Sequence, residues 1–128
     1  MPDAAAAAAA IRAGGLAIVP TDTVYGLATS PHEEAFTRRL YAAKGRAELQ
    51  PTALVAASVA VLRDLLPELD PRADVLLPGA FTLVVANPAR RFPWLAGATP
   101  EAIGVRVPAV EGVARELLDA AEARVATS

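Results

Sequence analysis

"GGLAIVPTDTVYGLATS", residues 14–30, is the stretch on which the fold turns. Its first half, Leu16 to Pro20, is a continuous apolar run bounded by glycines and a proline. Such a run reads as a short buried strand. Its second half opens on Thr21, Asp22 and Thr23 and then turns small, which reads as a loop leaving the strand's C-terminal end. Helices are predicted on both sides. Upstream, residues 4–13 are mostly alanine, the best helix former, and Gly14 or Gly15 supplies a left-handed cap. Downstream, Ser30 suits an N-cap, Pro31 the first helical position and Glu33 the return arm of a capping box. Phe36, Leu40 and Ala43 then share one helical face, and Gly45 stops the helix just after Lys44.

The alternation continues along the chain. "TALVAA" reads as a strand, and Ser58 caps the helix "VAVLRDLLPEL", with Val61, Leu62, Leu65 and Leu66 as its apolar stripe. A short helix is expected between Pro71 and Gly79, then a strand in "FTLVVAN" ended by the turn chemistry of "NPARRFP". "AIGVRVP" is a further strand, "EGVARELLDAAEA" a helix weakened by Gly112, and "RVATS" begins a last strand. Strands alternating with helices predict an α/β fold, a sheet flanked by helices in one domain over residues 1–128. A chain that stops within a strand is expected to leave the sheet incomplete at its C-terminal end. An unpaired edge there opens the possibility of a homodimer.

Composition narrows the chemistry. Alanine accounts for 31 of the 69 apolar residues, so the core is modest for 128 residues. The net charge of −2 argues against a broad nucleic-acid surface while leaving room for a local basic pocket. With no cysteine and one histidine, thiolate metal sites, disulfides, cysteine nucleophiles and histidine metal clusters are excluded. Lack of cysteine suits the cytoplasm. Neither a signal peptide nor a membrane span is legible, so no membrane partner is expected.

No Walker loop, dinucleotide fingerprint or nucleophile elbow is present. What remains is polar chemistry at element exits: Thr21, Asp22, Thr23 and Tyr25 after the first strand, Lys44 and Arg46 after a helix, Thr82 after "PGAF", and Arg106 among valines. Lys44 is the only lysine among twelve cations, in a chain whose alanine and arginine excess suggests GC-rich coding. A point-charge ammonium and a planar guanidinium on alternate residues suit a polyphosphate. They equally suit a helix C-terminus, where cations meet the negative end of the dipole. Arg106 either faces the interior and needs an anionic partner, or faces solvent.

The order of motifs resembles one family. "GGLAIVPTDTVYGLA", "LYAAKGR", "LLPGAFTLVV", "IGVRVP" and "VATS" together, from about residue 11 to residue 128, are similar to the YrdC/Sua5 family of L-threonylcarbamoyladenylate synthases. The resemblance implies a twisted open mixed sheet around a concave, positively charged cavity. It implies an enzyme, a nucleotidyltransferase condensing L-threonine, bicarbonate (or carbon dioxide) and ATP, with Mg2+ accompanying the triphosphate. The product, threonylcarbamoyl-AMP, is passed on to modify tRNAs that read codons beginning with A, so tRNA or a transferase is an implied partner.

Residue by residue, Lys44 and Arg46 match the family's K-x-R, whose implied role is to hold the phosphates and neutralise charge at the α-phosphorus. Gln50 matches a nucleotide-binding position, Thr23 and Tyr25 the L-threonine pocket, and Arg106 the strand arginine that meets the substrate carboxylate. Ser128 matches the serine of the S-x-N segment, whose asparagine would follow it. Ala47, Thr52, Val55 and Ala102 depart from the family pattern. With half of the S-x-N grip missing, low synthase activity is expected of these residues alone. The alternatives are a non-catalytic nucleotide- or RNA-binding module of the same fold, including its YciO-like branch, or an inactive fragment. The related carbamoyl-transfer domain of hydrogenase maturation factors is disfavoured by the lack of zinc-finger cysteines.

Overall fold

The computed structural model describes residues 4–20, 25–45, 51–79, 81–121 and 123–127, with Ala4, Pro20, Tyr25, Val113 and residues 123–127 described in backbone alone. Helix α1, Ala4–Arg12, leads into strand β1, Ala17–Pro20. Strand β2, Tyr25–Thr29, pairs with it antiparallel, Ala17 opposite Ala28 and Pro20 opposite Tyr25. Residues 25–29, expected as loop, are therefore a strand. Ala28 lies under α1, packed with Ala8 and Ile11, and Gly26 is buried in the same strand.

Helix α2, Glu34–Lys44, starts later than the capping box predicts. Its N-cap is Glu33 with no side-chain cap bond, and the Ser30 hydroxyl accepts instead from the His32 amide. Thr37, Leu40 and Tyr41 form its buried face, while Phe36 is half-buried and Ala43 exposed. The helix packs on β2 and on a 3-10 turn at Pro93–Leu95. The Trp94 indole N–H donates to the Pro31 carbonyl (3.1 Å), pinning the connection into the helix.

Strand β3, Leu54–Ala56, is followed by α3, Val59–Leu65, where the Ser58 hydroxyl caps the Val61 amide as expected. Helix α3 ends two residues before Pro67, whose missing N–H cannot continue it. After the short α4, Ala73–Leu76, come β4, Leu83–Ala86, and β5, Ala102–Arg106. Helix α5, Gly112–Ala121, and β6, Ala123–Thr127, complete the described chain.

The six strands form one mixed sheet in the order β1-β2-β6-β3-β5-β4. Among the described strands only β3 and β5 run parallel; every other neighbour is antiparallel. Strand β6 is hydrogen-bonded on both sides, to β2 and to β3. The strand expected to border an unpaired edge is thus central, and the edges are β1 and β4.

Strand alternation divides the core in two. Leu54, Ala56, Ile103 and Val105 pack with Leu40 of α2, Leu62 and Leu66 of α3, Ala73 of α4 and Leu95. On the other face, α1 and α5 pack against each other and on the sheet, through Ile11, Val19, Ala28 and Leu117, and through Leu118 against Val55 and Ala57.

Candidate functional site

Arg106 closes β5. Ile103 and Val105 turn into the larger core, so Ala102, Gly104 and Arg106 face the opposite way, and all three are half-buried. Val84 of neighbouring β4 shares that face and is 76 % exposed, so this half of it is open. The register places Leu83 opposite Val105, which brings Thr82 across from Arg106. The guanidinium Nη1 donates to the Thr82 hydroxyl at 3.3 Å. Of the two orientations left open by sequence, Arg106 takes the one directed away from the main core.

Lys44 is the last residue of α2 and is exposed. Gly45 caps the helix in the left-handed region, φ 66°, and its amide is directed at the Tyr41 and Ala42 carbonyls. A Cβ at Gly45 would touch nothing, so glycine serves its φ alone. The ammonium therefore stands where the helix presents its unpaired carbonyls, a position favourable to a cation with or without a ligand.

Five of the sequence-predicted positions fall wholly or partly outside the described residues. Thr23, Arg46, Gln50 and Ser128 lie outside them, and Tyr25 is described only as the first residue of β2, opposite Pro20. Thr127, which precedes Ser128, pairs with Leu27, two positions from Tyr25. The sheet thereby brings the approach to Ser128 and the start of β2 to one end.

Arg106 belongs to the other end. It is in register with Val55, and Val55 with Arg124, three residues before Thr127. At about 3.3 Å per residue along a strand and about 4.8 Å between strands, the Arg106 and Thr127 backbones stand roughly 14 Å apart.

Elsewhere, charged groups serve the framework. Arg91 forks onto Glu68 at 2.7–3.2 Å and Arg72 onto Asp70 at 2.6–3.1 Å. The Arg91 hydrogen bonds hold the Glu68 carboxyl below its usual range, and those of Arg72 hold Asp70 down to about 2. His32 is exposed, with its ring 6.1 Å from that of Phe92. Among the described residues no three His, Cys, Asp or Glu side chains gather to hold a metal, and no helix is long and apolar enough to cross a membrane. A cavity of about 280 Å³ lies between α2 and the 3-10 turn, lined by Thr37, Tyr41 and Trp94. Another of about 500 Å³ lies among Ile11, Ser30, His32, Leu65 and Ala121. Neither contains Lys44 or Arg106 among its lining residues. Thr82 is the site residue that sequence reasoning noticed at a strand entrance without giving it a role. Only the β4–β5 register reveals its partner.

A family model described as Telomere recombination, Sua5/YciO/YrdC, matches residues 9–128. The human protein named threonylcarbamoyl-AMP synthase is 39 % identical over 107 residues, covering 80 % of this chain and 37 % of that protein. A Mycobacterium leprae protein named putative threonylcarbamoyl-AMP synthase is 34 % identical over 118 residues, covering 89 % of this chain and 53 % of that protein. Among solved structures, Pyrococcus abyssi Sua5 complexed with L-threonine superposes with a TM-score of 0.85 at 32 % identity, covering 98 % of this chain and 38 % of that one. The chain thus spans between about a third and about half of the length of these relatives.

Proposed function

The chain belongs to the Sua5/YciO/YrdC family, and from that premise we propose that it carries the substrate-binding half of a threonylcarbamoyl-AMP synthase, of the kind that serves tRNA modification. In the proposed reaction the amino group of L-threonine attacks carbon dioxide, derived from bicarbonate, to give a carbamate. A carbamate oxygen then attacks the α-phosphorus of ATP, and pyrophosphate leaves with the electrons of the broken P–O bond. The product is threonylcarbamoyl-AMP.

The observation that carries this reading is the placement of Arg106. Arg106 is a half-buried residue, its guanidinium hydrogen bond to Thr82 exposed, on the open half of a sheet whose fold is that of a protein solved with L-threonine. A planar fork of N–H donors is the natural partner of an α-carboxylate. Lys44, at the end of α2, is assigned to the phosphates together with Arg46, where positive charge offsets what accumulates as pyrophosphate departs. Thr23, Tyr25 and Ser128 are assigned to L-threonine, and Gln50 to ATP, by family position. Mg2+ is proposed to arrive on the triphosphate and to keep most of its water, as that ion commonly does.

The test is calorimetric titration of the chain with ATP and Mg2+, with and without L-threonine. Joint binding is expected, and Lys44→Ala should weaken ATP by roughly tenfold or more while L-threonine alone is little affected. ATP binding unchanged by Lys44→Ala would remove that residue from the site. A folded chain that binds neither ligand would refute the reading. Salt-resistant RNA binding without ATP binding would favour a non-catalytic module instead.

A further inference from the structure

We infer that Thr82 is a positioning residue for substrate recognition: its hydroxyl holds the Arg106 guanidinium in place before the carboxylate arrives, and Gly104 exists to let it do so. The inference rests on the assignment of Arg106 to the substrate carboxylate made above.

Three observations converge. The Arg106 Nη1 donates to the Thr82 Oγ1 at 3.3 Å, across the β4–β5 register that Leu83 and Val105 define. Thr82 is exposed and lies at the entrance to the edge strand, so the core does not require a threonine there. Gly104 lies beneath it: a Cβ built on Gly104 would stand 3.3 Å from the Thr82 Cγ2 methyl, tighter than ordinary contact. Gly104 does not have positive φ, so backbone conformation does not demand glycine. The missing side chain is explained by the methyl that occupies its space.

The chemistry suits the task. A free arginine side chain loses much rotational freedom when a ligand immobilises it. A partner that orders the fork beforehand lowers that cost. A hydroxyl is the right partner, because it accepts a hydrogen bond without cancelling the charge, as a carboxylate at the same place would.

The test has two readouts. In the ligand-free chain, the NMR order parameter of the Arg106 Nε–Hε bond reports positioning directly. By calorimetry, the affinities for L-threonine and ATP report recognition. Thr82→Val should lower the order parameter and weaken L-threonine by about five- to tenfold with ATP unchanged, and Thr82→Ser should restore both. Gly104→Ala should weaken L-threonine by displacing Thr82, and Thr82→Ser in that background should restore binding, because serine lacks the methyl that the new Cβ meets. Unaltered order and affinity in Thr82→Val, or failure of serine to rescue, would overturn the inference while leaving Arg106 in its role. Arg106→Gln with unaltered L-threonine affinity would overturn the assignment of Arg106 itself, and the positioning role with it.

Discussion

Replacing Asn87 by alanine should cost about 2 kcal/mol of stability, through a turn rather than through the core. Asn87 follows β4 and is 1 % exposed. Its Nδ2 donates to the Arg91 carbonyl at 2.8 Å, and its Oδ1 accepts from the Arg91 amide at 3.1 Å, so one side chain closes residues 87–91 from both sides. Its own amide donates to the Glu101 carbonyl at 2.6 Å, tying the turn to the start of β5. Two net hydrogen bonds at about 1 kcal/mol each, and about 1 kcal/mol more for the Arg91 groups left without partners, give about 3 kcal/mol. Some of that returns. Arg90 and Phe92 are held at φ 52° and 50°, a left-handed region that side-chain-bearing residues seldom adopt. A loosened turn relaxes them, recovering about 1 kcal/mol. The expected fall in melting temperature is about 6–10 °C, with the urea midpoint lowered and the slope unchanged. Asn87→Asp keeps the acceptor and loses the donor, and should fall between. A melting temperature within about 1 °C of the parent for Asn87→Ala would refute the reasoning, because it would mean that the two bonds contribute nothing net.

Other perturbations have equally definite expectations. Ser58→Ala removes the cap on the Val61 amide and should destabilise by about 1 kcal/mol in chemical denaturation. Gly14→Ala places a Cβ 2.3 Å from the Phe36 ring at φ 85° and should cost at least about 1–2 kcal/mol. In a Phe36→Ala background only the backbone part of that cost should remain, which a double-mutant cycle measures. Asp70 is held at about 2 by its hydrogen bonds to Arg72, below an unfolded value near 4. Its small stabilising effect is therefore complete above about pH 4 and lost as pH falls through about 2, so Asp70→Asn should flatten the acid limb of the stability curve there. A carboxyl titration by NMR with an ordinary midpoint would contradict this.

Much of this architecture was legible because local chemistry and tertiary packing agree. The alanine helix, the "LAIVP" strand and the Ser58 cap all depend on residues close in sequence, and all appear. Residues 25–29 were not legible. Glycine and alanine carry little strand propensity, and they are strand here because helices pack down on them and β1 and β6 supply their backbone partners. The capping box failed for a local reason: the Ser30 hydroxyl takes the nearer His32 amide. "FTLVVAN" reads as a strong strand and is one, yet Val84 faces outward because the pleat turns it to the open face of the sheet, opposite Gly104. The site shows the same division. Gly45 marks Lys44 as a helix end from sequence alone. The partnership of Arg106 with Thr82 depends on a register between residues 24 apart, which no local pattern encodes.

The central position of β6 also sets the order in which this sheet can be made. Among the described strands the β1–β2 pair and the β3–β5–β4 ladder share no pairing with each other, and β6 joins them. On a ribosome, two half-sheets must wait side by side, β2 and β3 each presenting a bare row of amides and carbonyls, until residues 123–127 emerge to fill the gap. Pairing of that sequence separation is slow, and waiting strands are the kind that associate with the wrong neighbour. The nascent chain is thus vulnerable just before β6 arrives, and the insertion of five residues joins two half-sheets into one continuous sheet.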